Sequence, residues 1–166
     1  MGRKGSGRST VEHYLEQMGF TRSISYTTRE PRENNGVMEE NGKEYRFVTE
    51  EKFMKLVDNG KIIEYERYGD NLYGTPVPYG STRYVSTVCI NGFRALKKMY
   101  GEQVLGVYLQ CSEETSLKRS SKKTRLEQDE ELFKQMEAEA DIVIDSDRDT
   151  SNTLADILKA LRDRNL

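Results

Sequence analysis

Apolar side chains recur along this chain at two alternating periods, and the alternation predicts its architecture. Val11, Tyr14, Leu15 and Met18 fall at i, i+3, i+4 and i+7, the stripe of a helix that Gly19 is suited to end. Thr49 stands as an N-cap before Glu50 and Glu51, with Phe53, Leu56 and Val57 on one face and Gly60 as the stop. Leu154, Ile157, Leu158 and Leu161 define a terminal helix. Between these, short runs predict strands over 23–26, 45–48, 62–65, 84–90, 104–109 and 142–144. The polar stretch 33–41 predicts an exposed loop, Asp70 and Asn71 a turn, and Asn91 and Gly92 a turn into a helix over 93–100. Cys111 and Ser112 lead into a basic helix, and 127–139 predicts a charged one. Helices alternating with short strands imply an α/β fold, a parallel sheet flanked by helices.

Composition narrows this picture. A length of 166 residues fits one domain with a real core, and 33% charged against 35% hydrophobic residues is polar but still periodic. The net charge of −2 comes from interspersed acids and bases, so neither nucleic acid nor a membrane surface is an expected partner. Cys89 and Cys111 fall in or beside predicted strands and read as buried thiols, which suits a reducing cytoplasm. No apolar run is long enough for a membrane span and no signal-peptide pattern is present, so the chain reads as soluble and cytoplasmic. His13 has no metal-ligating company and reads as an exposed histidine.

Candidate chemistry concentrates in 23–75, which holds Ser25, Arg29, Arg32, Tyr45, Glu64, Tyr73 and Thr75. Two guanidiniums three residues apart, with two tyrosine hydroxyls able to converge on them, make a fork for one anionic group such as a phosphate. Glu64 suits a different partner. One carboxylate can accept both N–H donors on the edge of guanine, whereas adenine lacks that paired edge and would leave acceptors unmatched. Near the start, Gly2, Gly5, Ser6, Gly7, Arg8, Ser9 and Thr10 carry the spacing Gly-x-x-x-x-Gly-[basic]-Ser of a phosphate-cradling loop. Backbone N–H groups and the dipole of the following helix would face the phosphates, and Ser9 is placed to ligate magnesium.

On these residues the chain resembles the guanylate kinase family, closely from Gly2 to about Thr75 and more loosely beyond. The resemblance implies a P-loop kinase-like parallel sheet with an inserted monophosphate-binding lobe at 25–75 and a shortened lid at 112–130. The core would be 1–24, 76–111 and 131–166, all within a single domain. It implies that Arg29, Arg32, Tyr45 and Tyr73 hold the phosphate of GMP or dGMP, and that Ser25, Glu64 and Thr75 read the base. Arg8, Arg119 and Arg125 would act on the transferring phosphoryl group, with ATP as co-substrate and Mg2+ as cofactor.

The chain departs from the family pattern in several places. Arg8 stands where the motif asks for lysine, the strand that should precede the loop is missing, and 120–124 is short for a lid tip. Thr87 and Cys89 occupy positions where the family carries aspartates, and Asp145 and Asp147, which follow a strand, are carboxylate candidates only by position. Besides a kinase acting on GMP, these departures leave open a non-catalytic module that binds a nucleotide or phosphorylated peptide. A kinase for another deoxynucleotide is the third reading.

Overall fold

A computed structural model describes residues 1–34, 36–80, 83–119 and 126–166, with side chains described from 130 onward in the last stretch. In chain order the elements are α1 (Arg8–Gln17), β1 (Thr21–Arg22), β2 (Tyr26–Thr27), β3 (Glu33–Asn34), β4 (Val37–Met38), β5 (Arg46–Phe47), α2 (Glu50–Asp58) and β6 (Ile62–Tyr68). There follow β7 (Asn71–Pro76), β8 (Tyr84–Val85), α3 (Ile90–Tyr100), β9 (Val107–Gln110), α4 (Glu113–Arg119), α5 (Leu126–Glu139), β10 (Ile142–Asp145) and α6 (Thr150–Asp163). The chain divides into two units, Met1–Phe20 with Thr87–Leu166, and Thr21–Ser86.

The first unit is built on a parallel pair in which β9 and β10 run in register from Val107 opposite Ile142 to Gln110 opposite Asp145. Gly2 adds a parallel bridge to Leu109, whose N–H donates to the Met1 carbonyl at 2.9 Å. Two residues thus stand where sequence reading finds no preceding strand, and they deliver the glycine loop directly to β9. Helices cover the pair, with Ile90, Phe93, Tyr108 and Met136 in the core. The predicted strand over 84–90 is shorter than expected, ending at Val85, and the helix starts at Ile90 rather than Phe93. Ile90, Phe93 and Leu96 are all buried at helical spacing, so Ile90 belongs to the helical period. Cys89 is therefore not in a strand. Its Sγ accepts the Gly92 N–H at 3.4 Å as the N-cap of α3. Cys111 follows β9 as a buried thiol, and both cysteines are free.

The second unit carries a four-stranded sheet in the order β5–β2–β7–β6, with β2 and β5 parallel and the other neighbours antiparallel. Helix α2 forms as its sequence predicts, with the Thr49 hydroxyl accepting the Lys52 N–H at 3.3 Å. Its Phe53, fully buried, packs on Ile62 and Leu72. Gly74 lies against this pair, since a Cβ there would sit 2.8 Å from the Phe53 ring. Two expectations change in this unit. The strand expected over 23–26 does not form as one: β1 ends before it at Arg22 and pairs with β8, and only Tyr26 of that run enters a strand, β2, which joins the main sheet. The loop expected over 33–41 contains the hairpin β3–β4, with Gly36 in its turn at φ +79°. Among the described residues no helix is long and apolar enough to cross a membrane.

Candidate functional site

In the first unit the glycine loop is a turn strapped against two helices. The Ser6 N–H donates to the Arg3 carbonyl at 3.2 Å, and Gly5 (φ +82°) and Gly7 (φ +86°) turn the chain into α1. A side chain at Gly5 would meet the Ser116 carbonyl at 2.8 Å, and one at Gly2 would meet the Leu109 carbonyl at 2.7 Å. Gly7 occupies the N-cap position of α1, and no side-chain hydrogen bond caps the helix. Ser9 and Thr10 are exposed there and Arg8 is half-buried. Ser6 is only 1% exposed, and its hydroxyl, turned towards Gly2, has no hydrogen-bond partner among the described residues.

Two contacts that sequence reading missed hold this loop. The buried Ser116 of α4 donates its hydroxyl to the Lys4 carbonyl at 2.6 Å. Arg3 reaches α5, where it pairs with Glu130 at 2.7 Å and lies 4.9 Å from the centre of the Phe133 ring. Burial pushes the Tyr108 phenol up, while the Arg3 charge beside it pulls the other way. Arg119 ends α4 and donates to the Ser146 carbonyl at 2.8 Å. Asp147 accepts the Ser112 N–H, and Asp145 accepts the Asp147 N–H at 2.9 Å. Both carboxylates that sequence position offered thus already take local backbone N–H bonds. Burial works to raise the Asp147 carboxyl, but hydrogen bonds from Thr115 and Ser112 hold it below its ordinary value. Arg125 and 120–124 lie outside the described residues.

The second unit sets Ser25, Tyr45, Glu64, Tyr73 and Thr75 on one sheet face, while Arg29 and Arg32 lie outside the strands. Glu64 of β6 stands opposite Thr75 of β7, and Tyr26 stands opposite Gly74, so the same register carried one residue further sets Ser25 opposite Thr75. Cross-strand neighbours share a face, as do residues two apart. Ser25, Thr75 and Glu64 therefore form one row, Thr27 and Tyr73 lie on the next, and Tyr45 and Phe47 of the β5 edge continue the same face. The opposite face, at Gly74, packs on α2. Glu64 is half-buried with one carboxylate oxygen shielded from solvent, and Thr75 is buried.

Arg29 is 7% exposed and is gripped by a residue that sequence reading placed in a loop. Glu39 takes its two guanidinium nitrogens at 2.8 and 3.0 Å, and Nη1 also donates to the Glu30 carbonyl at 2.8 Å. The guanidinium lies 5.4 Å from the Tyr45 ring centre and 5.6 Å from that of Phe47, and Tyr45 and Tyr73 meet edge to face at 5.8 Å. Burial works against the Arg29 charge, but Glu39 and Tyr73 more than offset it. The Arg29 hydrogen bond in turn holds the Glu39 carboxyl below its ordinary range. Glu39 also accepts the Arg32 backbone N–H at 2.9 Å and the Asn34 amide at 3.3 Å, closing the base of the hairpin, while the Arg32 side chain is exposed. Glu39 follows a polar run beside Glu40, and nothing in local periodicity sets it apart.

Parallel strands under helices, with a glycine loop opening the first helix, define an α/β protein of the P-loop kinase fold. The chain belongs to the guanylate kinase family, whose model, described as "Guanylate kinase", matches residues 1–163. A guanylate kinase of Campylobacter jejuni is 29% identical over 129 residues, which cover 71% of this chain and 60% of that protein. One of Lactobacillus delbrueckii subsp. bulgaricus is 42% identical over 79 residues, 46% of this chain and 37% of the relative. The chain thus spans less than two thirds of these curated relatives. The crystal structure of guanylate kinase from Anaplasma phagocytophilum superposes with a TM-score of 0.73 at 29% identity, covering 98% of this chain and 82% of that one.

Proposed function

We propose that this chain transfers the γ-phosphoryl group of ATP to GMP or dGMP. The observation that carries the reading is the single sheet face that bears Ser25, Glu64, Thr75, Tyr73 and Tyr45, with the Arg29–Glu39 clasp beside Tyr45 and Tyr73. On this reading Arg29, Arg32, Tyr45 and Tyr73 bind the acceptor phosphate, and Glu64 accepts the paired donors of guanine with Ser25 and Thr75 beside it. The donor phosphates rest on the backbone of Gly2, Gly5, Ser6 and Gly7 and on the first turn of α1 at Arg8, Ser9 and Thr10, with Arg119 and Arg125 offsetting charge as the phosphoryl group moves.

Magnesium is the cofactor that this reaction calls for, and the exposed Ser9 hydroxyl fits a hard, oxygen-seeking cation. Bound there with ATP, it would neutralise charge on the β and γ oxygens. The chain's own work is to bind the acceptor monophosphate and the donor phosphates in the orientation that transfer requires.

A second reading is favoured by one specific feature. Cys89 is committed to capping α3 and Thr87 lies beside it, so this segment presents no carboxylate of the kind that family members carry, which suits a module that binds a monophosphate or phosphorylated segment without turnover. A coupled assay with magnesium-ATP and each nucleoside or deoxynucleoside monophosphate separates the readings. Turnover on GMP or dGMP supports transfer, turnover only on another acceptor moves the substrate assignment, and GMP binding with no turnover and no ATP affinity supports the binding module.

A further inference from the structure

The glycine loop carries three cations, Arg3, Lys4 and Arg8, and the structure puts them to different uses. Arg3 is spent on α5, paired with Glu130 and stacked on Phe133. Arg8 is half-buried at the start of α1, where its charge acts on the Met1 amino group and on Cys111. Lys4 differs from both. Its backbone is held on either side, by the Ser116 hydroxyl on its carbonyl and by the turn that closes from Ser6 to Arg3. Its side chain is exposed and makes no ion pair or hydrogen bond with any described residue. The neighbouring Ser6 hydroxyl is almost fully buried, turned towards Gly2, and without a partner among the described residues.

We propose that Lys4 is a phosphate ligand of this loop, its ammonium supplying the compact charge on a bound triphosphate that the guanidinium of Arg8 cannot insert. The inference rests on reading the loop as the site for the ATP phosphates. A planar guanidinium spreads its charge over a fork suited to two oxygens on one edge, whereas an ammonium is a point charge on a flexible four-carbon stem that fits between oxygens of successive phosphates. Lys4 reaches about 6 Å from its Cα and sits in the tight turn that leads into α1, so an oxygen seated on the loop is within its range. Fixing the main chain while leaving the side chain mobile lets Lys4 follow the outer phosphates with little loss of backbone entropy.

The test is titration calorimetry with magnesium-ATP, with inorganic tripolyphosphate and with GMP, on the full chain and on Lys4→Met, Lys4→Arg, Arg8→Lys and the double variant Lys4→Met/Arg8→Lys. The expected result for Lys4→Met is a loss of about tenfold or more for both triphosphates, with GMP binding and the melting temperature unchanged. Lys4→Arg recovers only part of that loss. Arg8→Lys restores an ammonium at the loop's end, so Lys4→Met becomes nearly silent in its presence. Triphosphate binding by Lys4→Met equal to that of the parent chain overturns the proposal and leaves the loop reading standing. Failure of the parent chain to bind either triphosphate while it binds GMP overturns the loop reading and this proposal with it.

Discussion

Arg29 and Glu39 face each other as two parallel forks, Nη1 2.8 Å from Oε2 and Nη2 3.0 Å from Oε1, and both side chains are almost fully shielded from water. A buried pair of this geometry fixes the guanidinium plane, because rotating it away would leave two charges unmatched. The Arg29 fork is thereby pre-oriented, and the exposed Arg32 is the arginine free to move.

Removing one member of the clasp should cost more than a surface ion pair would. Glu39→Ala leaves Arg29 charged and buried, and is expected to lower unfolding free energy by about 3 kcal/mol, read by chemical denaturation. Glu39→Gln, which keeps an acceptor, should lose less. A Glu39→Ala chain as stable as its parent would show that the clasp is a surface contact.

Stability should fall with acid in a defined window. The folded-state values of Glu39 and Asp141 are both depressed, Glu39 chiefly by the Arg29 hydrogen bond, and Asp141 because Lys97, the Gly106 N–H and Arg164 outweigh the effect of burial. A depressed carboxyl contributes stability that is present above its ordinary value, 4.5 for Glu39 and 3.8 for Asp141, and is lost as pH falls through the folded-state value. Denaturation midpoints taken from pH 7 downward should hold until about pH 5 and then drop. Glu39→Gln should flatten that drop, and an unchanged profile would remove the clasp from the account.

Base choice should depend on a single carboxylate. Glu64→Gln replaces one acceptor oxygen by a donor, so GMP over AMP discrimination should shrink by about 1–3 kcal/mol, measured as the ratio of kcat/KM or of binding constants. Arg32→Ala should weaken both monophosphates alike. If Glu64→Gln keeps full discrimination, the base pocket lies elsewhere.

The sulfur cap of α3 can be improved. The Cys89 Sγ receives the Gly92 N–H at 3.4 Å, a weak bond at a position where hydroxyls and carboxylates do better. Cys89→Ser or Cys89→Asp should raise unfolding free energy by about 0.5–1 kcal/mol, seen as a higher Tm. A fall in Tm would mean that half-buried Cys89 matters more for packing than for capping.

Helix α2 was readable to the residue because everything that makes it is local: the Thr49 cap, the acidic first turn, the Phe53, Leu56 and Val57 stripe, and the Gly60 stop. Ser25, Tyr45, Glu64, Tyr73 and Thr75 could be named as candidates from residue type and spacing, whereas their sharing one sheet face came only from the strand register. The strand 84–90 was misjudged because an apolar run has no period of its own. Whether Ile90 continues a strand or opens a helix depends on Phe93 and Leu96 burying the same side.

What lay beyond the reach of local pattern is every partnership between residues distant in sequence or hidden in polar runs. Arg29 could be named as a candidate for a phosphate, but not that Glu39 grips it. Nothing local separates Arg3 from Lys4, yet Glu130 and Phe133, more than a hundred positions away, take the first, and the second stays exposed. Residue order carries short-range periods and chemical type, whereas pairing of buried charges and the division of labour among like cations arise from which surfaces meet when the strands and helices pack.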